Sequence, residues 1–171
     1  MLDVNIRPYR DGDTEPVLEA VIESKQELSR WMPWCHNDYG RKDAEAWVRS
    51  RPQAWEDNQE WSFVIVDQGD NLLGTCGFHH LDLHNGTCEL GYWVRTKEAK
   101  KGIATKAVNV ARKWIFNERG LHRLELLMSV NNLASQRVAE KAGATCEAVL
   151  RQRLWLANER QDAVLFAILN L

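Results

Sequence analysis

The segment KEAKKGIATKA, residues 97–107, carries positive charge, one glycine and small side chains where a strand-like run passes into a helix-like run. Backbone N–H groups at a helix start lack partners within the helix and lie at the positive end of its dipole. A pyrophosphate can bind there, because Gly102 allows close approach of the backbone and Ala104 keeps the first turn small. Added charge comes from Lys97, Lys100 and Lys101. The alternative is an ordinary solvated helix start.

This loop differs from the familiar phosphate-binding loops. The chain lacks both G-x-x-x-x-G-K-[ST] and a G-x-G-x-x-G after its first strand, which disfavours ATP and dinucleotides. A ligand with a diphosphate but a different loop stays open, and coenzyme A is the obvious one.

A second candidate is the acid in TCELGYWV, residues 87–94. Alternation along a strand places Glu89 with Gly91 and Trp93 on one face. A carboxylate between apolar neighbours can have a raised pKa, which suits a general base near neutral pH. Two alternatives remain: Glu89 pairs with an Arg or His on a neighbouring strand, or it faces solvent.

Two adjacent histidines, His79 and His80, lie on the preceding strand, and one of them must point toward the face of Glu89. It could act as a base or contact the substrate, or be a structural strand histidine. Cys76 with these histidines superficially resembles a metal site, but residues 76 and 79 point to opposite faces of a strand, so we expect no metal. The four cysteines are widely spaced, and we expect free, mostly buried thiols at Cys35, Cys76, Cys88 and Cys146.

The length and composition of the chain favour one compact domain. The chain has 171 residues, of which 44% are hydrophobic, and a formal net charge of −2, which argues against a nucleic-acid binder that relies on bulk charge. No apolar run approaches the ~18 residues of a membrane span, and the N-terminus lacks the apolar block of a signal peptide. We therefore expect a cytoplasmic protein without membrane or direct nucleic-acid partners.

Hydrophobic periodicity predicts the elements that position these residues. It predicts the order β-αα-α-βββ-α-β-α-ββ, with one helix ending at Pro33, another over residues 42–55 and a third over residues 101–117. Hairpins mixed with crossover helices indicate an α/β class with a mixed sheet and helices on both faces. Most of the eight tryptophans should be core, whereas Trp31, Trp34 and Trp55 flank polar stretches and could line a groove.

Several segments, in order, resemble a known family. CELGYWV, KKGIATKAV and VNNLASQRVAEKAG look like successive motifs of the GNAT superfamily of acyl-CoA N-acetyltransferases, and most closely its RimJ/RimL-type branch. NIRPYRDGD, LSRWMPW and RLWLANERQDAVLFAIL are also similar to that branch. The resemblance implies a single N-acetyltransferase domain over residues 1–171, with a central mixed, mostly antiparallel sheet flanked by helices. It also implies acetyl-CoA as donor, with coenzyme A as product, and makes a homodimer plausible.

The resemblance also implies residue roles. The family signature falls on residues 97–102, so backbone amides would hold the coenzyme A pyrophosphate at Lys100, Lys101, Gly102, Ile103, Ala104 and Thr105. Val94 would pair its backbone with the pantetheine arm. Asn132 and Ser135 fall on the family's N-x-x-S, near the arm and the sulfur. Lys97 and Lys100 replace the usual Gln/Arg and first glycine, and Lys100 can still supply an N–H if its φ is negative. Ala144 stands where the family often has phenylalanine.

Acetyl transfer requires a neutral amine and a proton for the departing thiolate. Glu89 is the candidate base, directly or through a water, and Ser135 the candidate proton donor, unless its hydroxyl only bonds backbone at a helix start. Trp31, Trp34 and His79 are candidate acceptor contacts. An α-amine has a pKa of ~8 and a lysine ~10.4, which favours N-terminal amines.

Three functions follow from this reasoning. The first is an N-terminal acetyltransferase that modifies a ribosomal or other protein. The second is a small-molecule acetyltransferase that inactivates a toxic amine, such as an antibiotic or an aminoacylated nucleotide, since aromatic planes stack bases well. The third is a non-catalytic acyl-CoA-binding module.

Overall fold

The computed structural model describes residues 3–171. Short 3-10 turns at Asp11–Asp13 and Thr96–Glu98 precede α1 and follow β4. The helices are α1 (Thr14–Trp31), α2 (Arg41–Glu56), α3 (Ile103–Arg119) and α4 (Leu133–Lys141). The strands are β1 (Asn5–Pro8), β2 (Trp61–Val66), β3 (Leu72–Asp82), β4 (Thr87–Val94), β5 (Arg123–Ser129), β6 (Thr145–Leu156) and β7 (Glu159–Leu169).

The strands form one sheet of seven, in the order β1-β2-β3-β4-β5-β7-β6. β4 and β5 are parallel, and the other neighbouring pairs are antiparallel. The parallel pair is joined by a crossover through α3, as parallel neighbours require. The prediction of a mixed, mostly antiparallel sheet is confirmed.

β4 and β5 separate partway along their length. In residues 3–171 they pair only where residues 87–89 face residues 123–125, although β4 continues to Val94 and β5 to Ser129. The divergence leaves one backbone edge of β4 open beyond Glu89, next to the starts of α3 and α4. An open edge of this kind can accept an extended ligand as an added strand.

The helices cover both faces of the sheet. On one face, α3 and α4 bury a core that includes Phe78, Leu90 and Ile103. On the other, α1 and α2 pack over Val64 and Trp93. Each such side chain contributes roughly 1.5–3 kcal/mol on burial, so both helix layers are held firmly against the strands. Helices on both faces are as predicted.

One prediction about the helices is wrong. The two helices expected before Pro33 are a single helix of 18 residues, because the buried stripe of Val17, Val21 and Leu28 continues without a break. The helix ends at Trp31 because Met32, which precedes the proline, has extended geometry (φ −117°, ψ 102°). Within residues 3–171, none of the helices has the length and apolar character that crossing a membrane requires.

The cysteines match the expectation of free thiols. Cys35, Cys76 and Cys88 are buried and Cys146 is exposed. Cys76 belongs to the core under α3 and α4, away from the face that carries the histidine–carboxylate cluster described below. Burial raises the pKa of the Cys76 thiol to about 12, so it stays protonated.

Candidate active site

An irregularity in β3 brings both histidines to one carboxylate. The register between β3 and β4 shifts between His79 and Asp82, and His80 has a positive φ of 50°. As a result His79 Nε2 lies 3.1 Å from Glu89 Oε1, and His80 Nδ1 lies 3.1 Å from Glu89 Oε2. A regular strand would place only one of these imidazoles on the Glu89 face.

The predicted raised pKa of Glu89 is wrong. Burial does raise it, but the hydrogen bonds and positive charge of His79 and His80 outweigh that effect and lower the pKa. Conversely, burial lowers the pKa of His79, but the hydrogen bond to Glu89 and the negative charges of Glu89 and Glu60 together outweigh burial and raise the pKa. Pairing with a histidine of the neighbouring strand, one of the alternatives considered above, is therefore what occurs. The two histidines therefore favour the ionised form of Glu89.

A cavity of about 760 Å³ lies between the α1–α2 layer and the sheet, and of this pair only His79 is among the described residues that line it. Trp34, which with His79 is a candidate acceptor contact, also lines it. The Trp34 ring is 6.2 Å from that of Trp93 and 5.7 Å from that of Tyr39. Trp34 is 41% exposed, so one flank of its ring is available at the cavity.

The other two tryptophans considered for this groove lie elsewhere. Trp31 is the last residue of α1 and is not among the described residues that line the cavity. Trp55 packs in the core under α3, with its ring centroid 5.1 Å from that of Phe63 and 5.6 Å from that of Trp114. Polar flanks in the sequence did not distinguish a core tryptophan from a groove tryptophan.

On the opposite face of β4, Tyr92 meets Ser135 from α4. Tyr92 Oη lies 2.8 Å from Ser135 Oγ, where either hydroxyl can donate, and 3.3 Å from the Ser135 carbonyl oxygen. Burial raises the pKa of Tyr92 to about 12, although the Ser135 bond acts the other way, so the phenol keeps its proton. The sequence reasoning missed Tyr92. The available signal was alternation, which places it on the face away from Glu89.

The amide groups at the start of α3 have the predicted arrangement, with one correction. The first helical bond runs from the Lys106 N–H to the Gly102 carbonyl, so the N–H groups of residues 103–105 precede the hydrogen-bonded turns. Gly102 has φ 77°, and nothing lies within 4 Å of the position that a Cβ would take. The Lys100 N–H was predicted to be available if its φ is negative, but its φ is 63°, so that condition is not met. Lys100 occupies the left-handed geometry that explains the glycine usual at this position.

Two of the three lysines in this loop are paired with acids. Lys97 Nζ lies 3.1 Å from Glu23 Oε2, and Lys101 Nζ lies 2.8 Å from Glu98 Oε2. Glu23 also accepts a 2.7 Å bond from the buried Arg95. These contacts compensate part of the loop's charge and anchor it to α1.

Asn132 and Val94 both lie near the gap that opens where β4 and β5 stop pairing. The Asn132 side chain caps α4 by accepting a 3.1 Å bond from the Ser135 N–H, so it positions the serine. Val94 ends β4 in the part that β5 does not pair. Ala144, just beyond α4, packs against the core under α3. The open edge of β4 thus lies between the α3 amides and the Tyr92–Ser135 pair.

Comparisons with known proteins agree with this geometry. The family described as Acetyltransferase (GNAT) domain matches residues 3–145. YoaA of Bacillus subtilis (strain 168), named an uncharacterized N-acetyltransferase, is 30% identical over 167 residues, covering 96% of this chain and 92% of that protein.

Two solved structures show the same fold. RimL, a ribosomal L7/L12 alpha-N-protein acetyltransferase in complex with coenzyme A, superposes with a TM-score of 0.90 at 17% identity, covering 97% of this chain and 93% of that one. The microcin C7 self immunity acetyltransferase MccE, in complex with acetyl-CoA and AMP, gives 0.90 at 20% identity, covering 98% and 93%. The family that the motifs predicted is confirmed: this chain belongs to the GNAT acetyltransferases.

Proposed function

We propose that this N-acetyltransferase uses acetyl-CoA to modify a primary amine, namely the N-terminal α-amine of a protein, with ribosomal proteins as first candidates. Transfer is direct, in a ternary complex, within one domain that spans residues 1–171. One observation carries the proposal. On one face of β4, Glu89 pairs with His79 of β3, which lines a cavity, and on the other face Tyr92 pairs with Ser135 of α4 beside an open strand edge. Two substrates can therefore approach one strand from opposite sides.

Acetyl-CoA fits the side that carries α3 and α4. The N–H groups from Lys101 through Thr105 would bind its diphosphate, and Lys97 and Lys101 would add charge beyond their pairs with Glu23 and Glu98. Val94 and the open edge of β4 would bind the pantetheine arm, and Asn132 would hold the nearby start of α4. The bound donor supplies an activated acetyl thioester. None of these roles requires a metal.

Glu89 accepts the proton that the attacking amine releases, directly or through a water. Its lowered pKa keeps it ionised, while the hydrogen bond to His79 fixes its orientation. A weak base suffices because an α-amine, with a pKa of ~8, is already partly neutral near pH 7. Ser135 Oγ would donate a proton to the departing sulfur and regain one from solvent, and Tyr92 would support the serine oxygen as it does so.

The acceptor enters the cavity between the α1–α2 layer and the sheet. A volume of about 760 Å³ exceeds what a lone amine needs and leaves room for the first residues of a peptide. Trp34 would contact the acceptor at its exposed flank, next to Tyr39. Trp31 would not contact the acceptor directly. As the last residue of α1, it would only help to position the following loop, which carries Trp34.

A second candidate function is acetylation of a small amine that carries a flat ring. The aromatic cluster of Trp34, Tyr39 and Trp93 supports it, since planar groups stack on such rings. The complex of MccE with AMP is a precedent within the fold. A non-catalytic acyl-CoA-binding module is a third candidate, but an ionised carboxylate and a serine hydroxyl across β4 favour catalysis.

The experiment compares N-terminal peptides, including those of ribosomal proteins, with ring-bearing amines, following acceptor-dependent release of coenzyme A thiol. We expect turnover with peptides and a large loss of kcat in Glu89→Gln. Activity confined to small amines would reject the protein substrate. Thermal stabilisation by coenzyme A without thiol release for any acceptor would indicate the binding module. We also propose a cytoplasmic homodimer, which sedimentation and fractionation would test.

A further inference from the structure

We propose that His79, His80 and Glu89 form a binding site for a divalent transition metal, with Zn²⁺ as the physiological ion. These residues define the histidine–carboxylate cluster, and their ligand atoms all lie within 4.8 Å of one another. Two imidazoles and one carboxylate are ligands that Zn²⁺ takes in catalytic sites, where three protein groups leave a position for water. Imidazole nitrogen also selects zinc over magnesium and calcium, which prefer oxygen ligands.

The distances suit metal coordination. Each imidazole nitrogen lies 3.1 Å from a Glu89 oxygen, and ligand atoms around a tetrahedral Zn²⁺ are separated by about 3.3 Å when the bonds are ~2.0–2.1 Å. The longest separation in the cluster must shorten. The His80 side chain can accommodate this because it is 70% exposed and its present bond to Glu89 would be replaced by bonds to the ion.

The backbone is arranged for this convergence. His79 and His80 are adjacent, so a regular strand would direct them to opposite faces. The register shift and the positive φ of His80 bring both to Glu89. A non-glycine residue in that geometry costs of order 1–3 kcal/mol, which is typical of positions with a functional role. The expectation of no metal rested on alternation in β3 and on Cys76, and neither applies to this cluster.

Metal binding at the cluster has a consequence that rests on the proposed function. A Zn²⁺ bound to one Glu89 oxygen draws charge from the carboxylate and lowers its basicity, so Glu89 accepts a proton from the acceptor amine much less readily. His79 lines the acceptor cavity, so the ion would lie at its wall. Zinc should therefore inhibit acetyl transfer over the same concentration range in which it binds.

The test is calorimetric titration of the whole metal-free protein with ZnCl₂ against a competing chelator. We expect one equivalent of Zn²⁺ to bind, and His80→Asn to weaken binding at least ten-fold. Asparagine tolerates the positive φ at position 80, so this variant removes the imidazole without adding strain. His84→Asn is the matched control, since His84 is an exposed histidine on the following turn outside the cluster. Its affinity for Zn²⁺ should equal that of the wild type.

Three outcomes decide the matter. Equal affinity in the wild type and His80→Asn, or equal losses in His80→Asn and His84→Asn, would overturn the proposed site. Tight binding that His80→Asn weakens and His84→Asn does not, together with inhibition, supports both the site and the role of Glu89 as base. The same binding without inhibition supports the site and counts against the role of Glu89. Glu89→Gln, checked for folding by circular dichroism, should lose Zn²⁺ affinity in either of the last two cases.

Discussion

Replacing Tyr92 by phenylalanine removes one oxygen from the centre of the molecule and leaves the ring in place. That oxygen lies 2.8 Å from Ser135 Oγ and 3.3 Å from the Ser135 carbonyl. A hydrogen bond between such groups contributes a net ~0.5–1.5 kcal/mol to stability. We expect the free energy of unfolding to fall by about 1 kcal/mol, which lowers Tm by roughly 2–4 °C for a chain of this size.

The same change should slow acetyl transfer. If Ser135 gives its proton to the sulfur, the Tyr92 hydroxyl stabilises the serine oxygen at that moment, and losing about 1 kcal/mol there lowers kcat about five-fold. Tyr92 is one of the residues that line the acceptor cavity, but KM for the acceptor should change little, because the change removes only a hydroxyl that is bonded to Ser135. Steady-state kinetics with a saturating donor measures both parameters.

A double-mutant cycle separates this mechanism from general destabilisation. Tyr92→Phe should have almost no effect on kcat once Ser135 is alanine, since the hydroxyl then has no serine oxygen to support. The reasoning is refuted if Tyr92→Phe lowers kcat by the same factor in both backgrounds. A fall in Tm with an unchanged kcat would also refute the assisted proton donation and leave only a structural bond.

Further expectations concern the loop before α3 and the acceptor cavity. Lys100→Gly should raise Tm by roughly 1–3 °C, because relief of the ~1 kcal/mol left-handed penalty outweighs the added chain entropy, and a lower Tm would contradict the assigned φ of 63°. The hydrogen bond from Arg95 lowers the pKa of Glu23 to about 2, below its usual value of 4.5. This stabilisation is fully present above pH ~4.5 and is lost as the pH falls toward 2, so Glu23→Gln should cost about 1 kcal/mol at pH 7 and flatten the acid limb of the stability curve measured in urea. An unchanged acid limb would mean that the ion pair contributes nothing. Trp34→Ala should raise KM for the acceptor about five-fold with little change in kcat or Tm, because it removes roughly 1 kcal/mol of ring contact, whereas the matched Trp155→Ala, at an exposed ring on β6, should change neither. Equal effects of the two tryptophan variants would argue against an acceptor role for Trp34.

The spacing of hydrophobic residues predicted most of the strands and helices, because most of them alternate or repeat as regular elements do. In β4, alternation correctly assigned Glu89 and Tyr92 to opposite faces, and the break after Val94 correctly preceded a helix. Alternation failed in β3, where the register shift depends on how two strands pair. Residue spacing alone therefore could not predict that the His80 side chain lies on the same side of β3 as that of His79.

The ion pairs also could not be predicted from local sequence patterns, because their partners are far apart in the chain. Glu23 compensates Lys97 and Arg95 from more than 70 positions away, so a loop that appears strongly basic in the sequence is partly neutralised in the fold. The pKa of Glu89 was misjudged for the same reason. Burial could be inferred from apolar neighbours, but the two histidines that reverse its effect come from another strand.

The position of β4 explains why one strand can serve two substrates. Glu89 and Tyr92 are an odd number of residues apart, so their side chains project to opposite faces of the same strand. Between them β5 diverges, which exposes the backbone edge at the level where the two faces must exchange an acyl group. The two faces give the proposed base and the proposed proton donor different environments. On one face the two histidines favour the ionised form of Glu89, and on the other face burial keeps the Tyr92 phenol protonated where it supports Ser135.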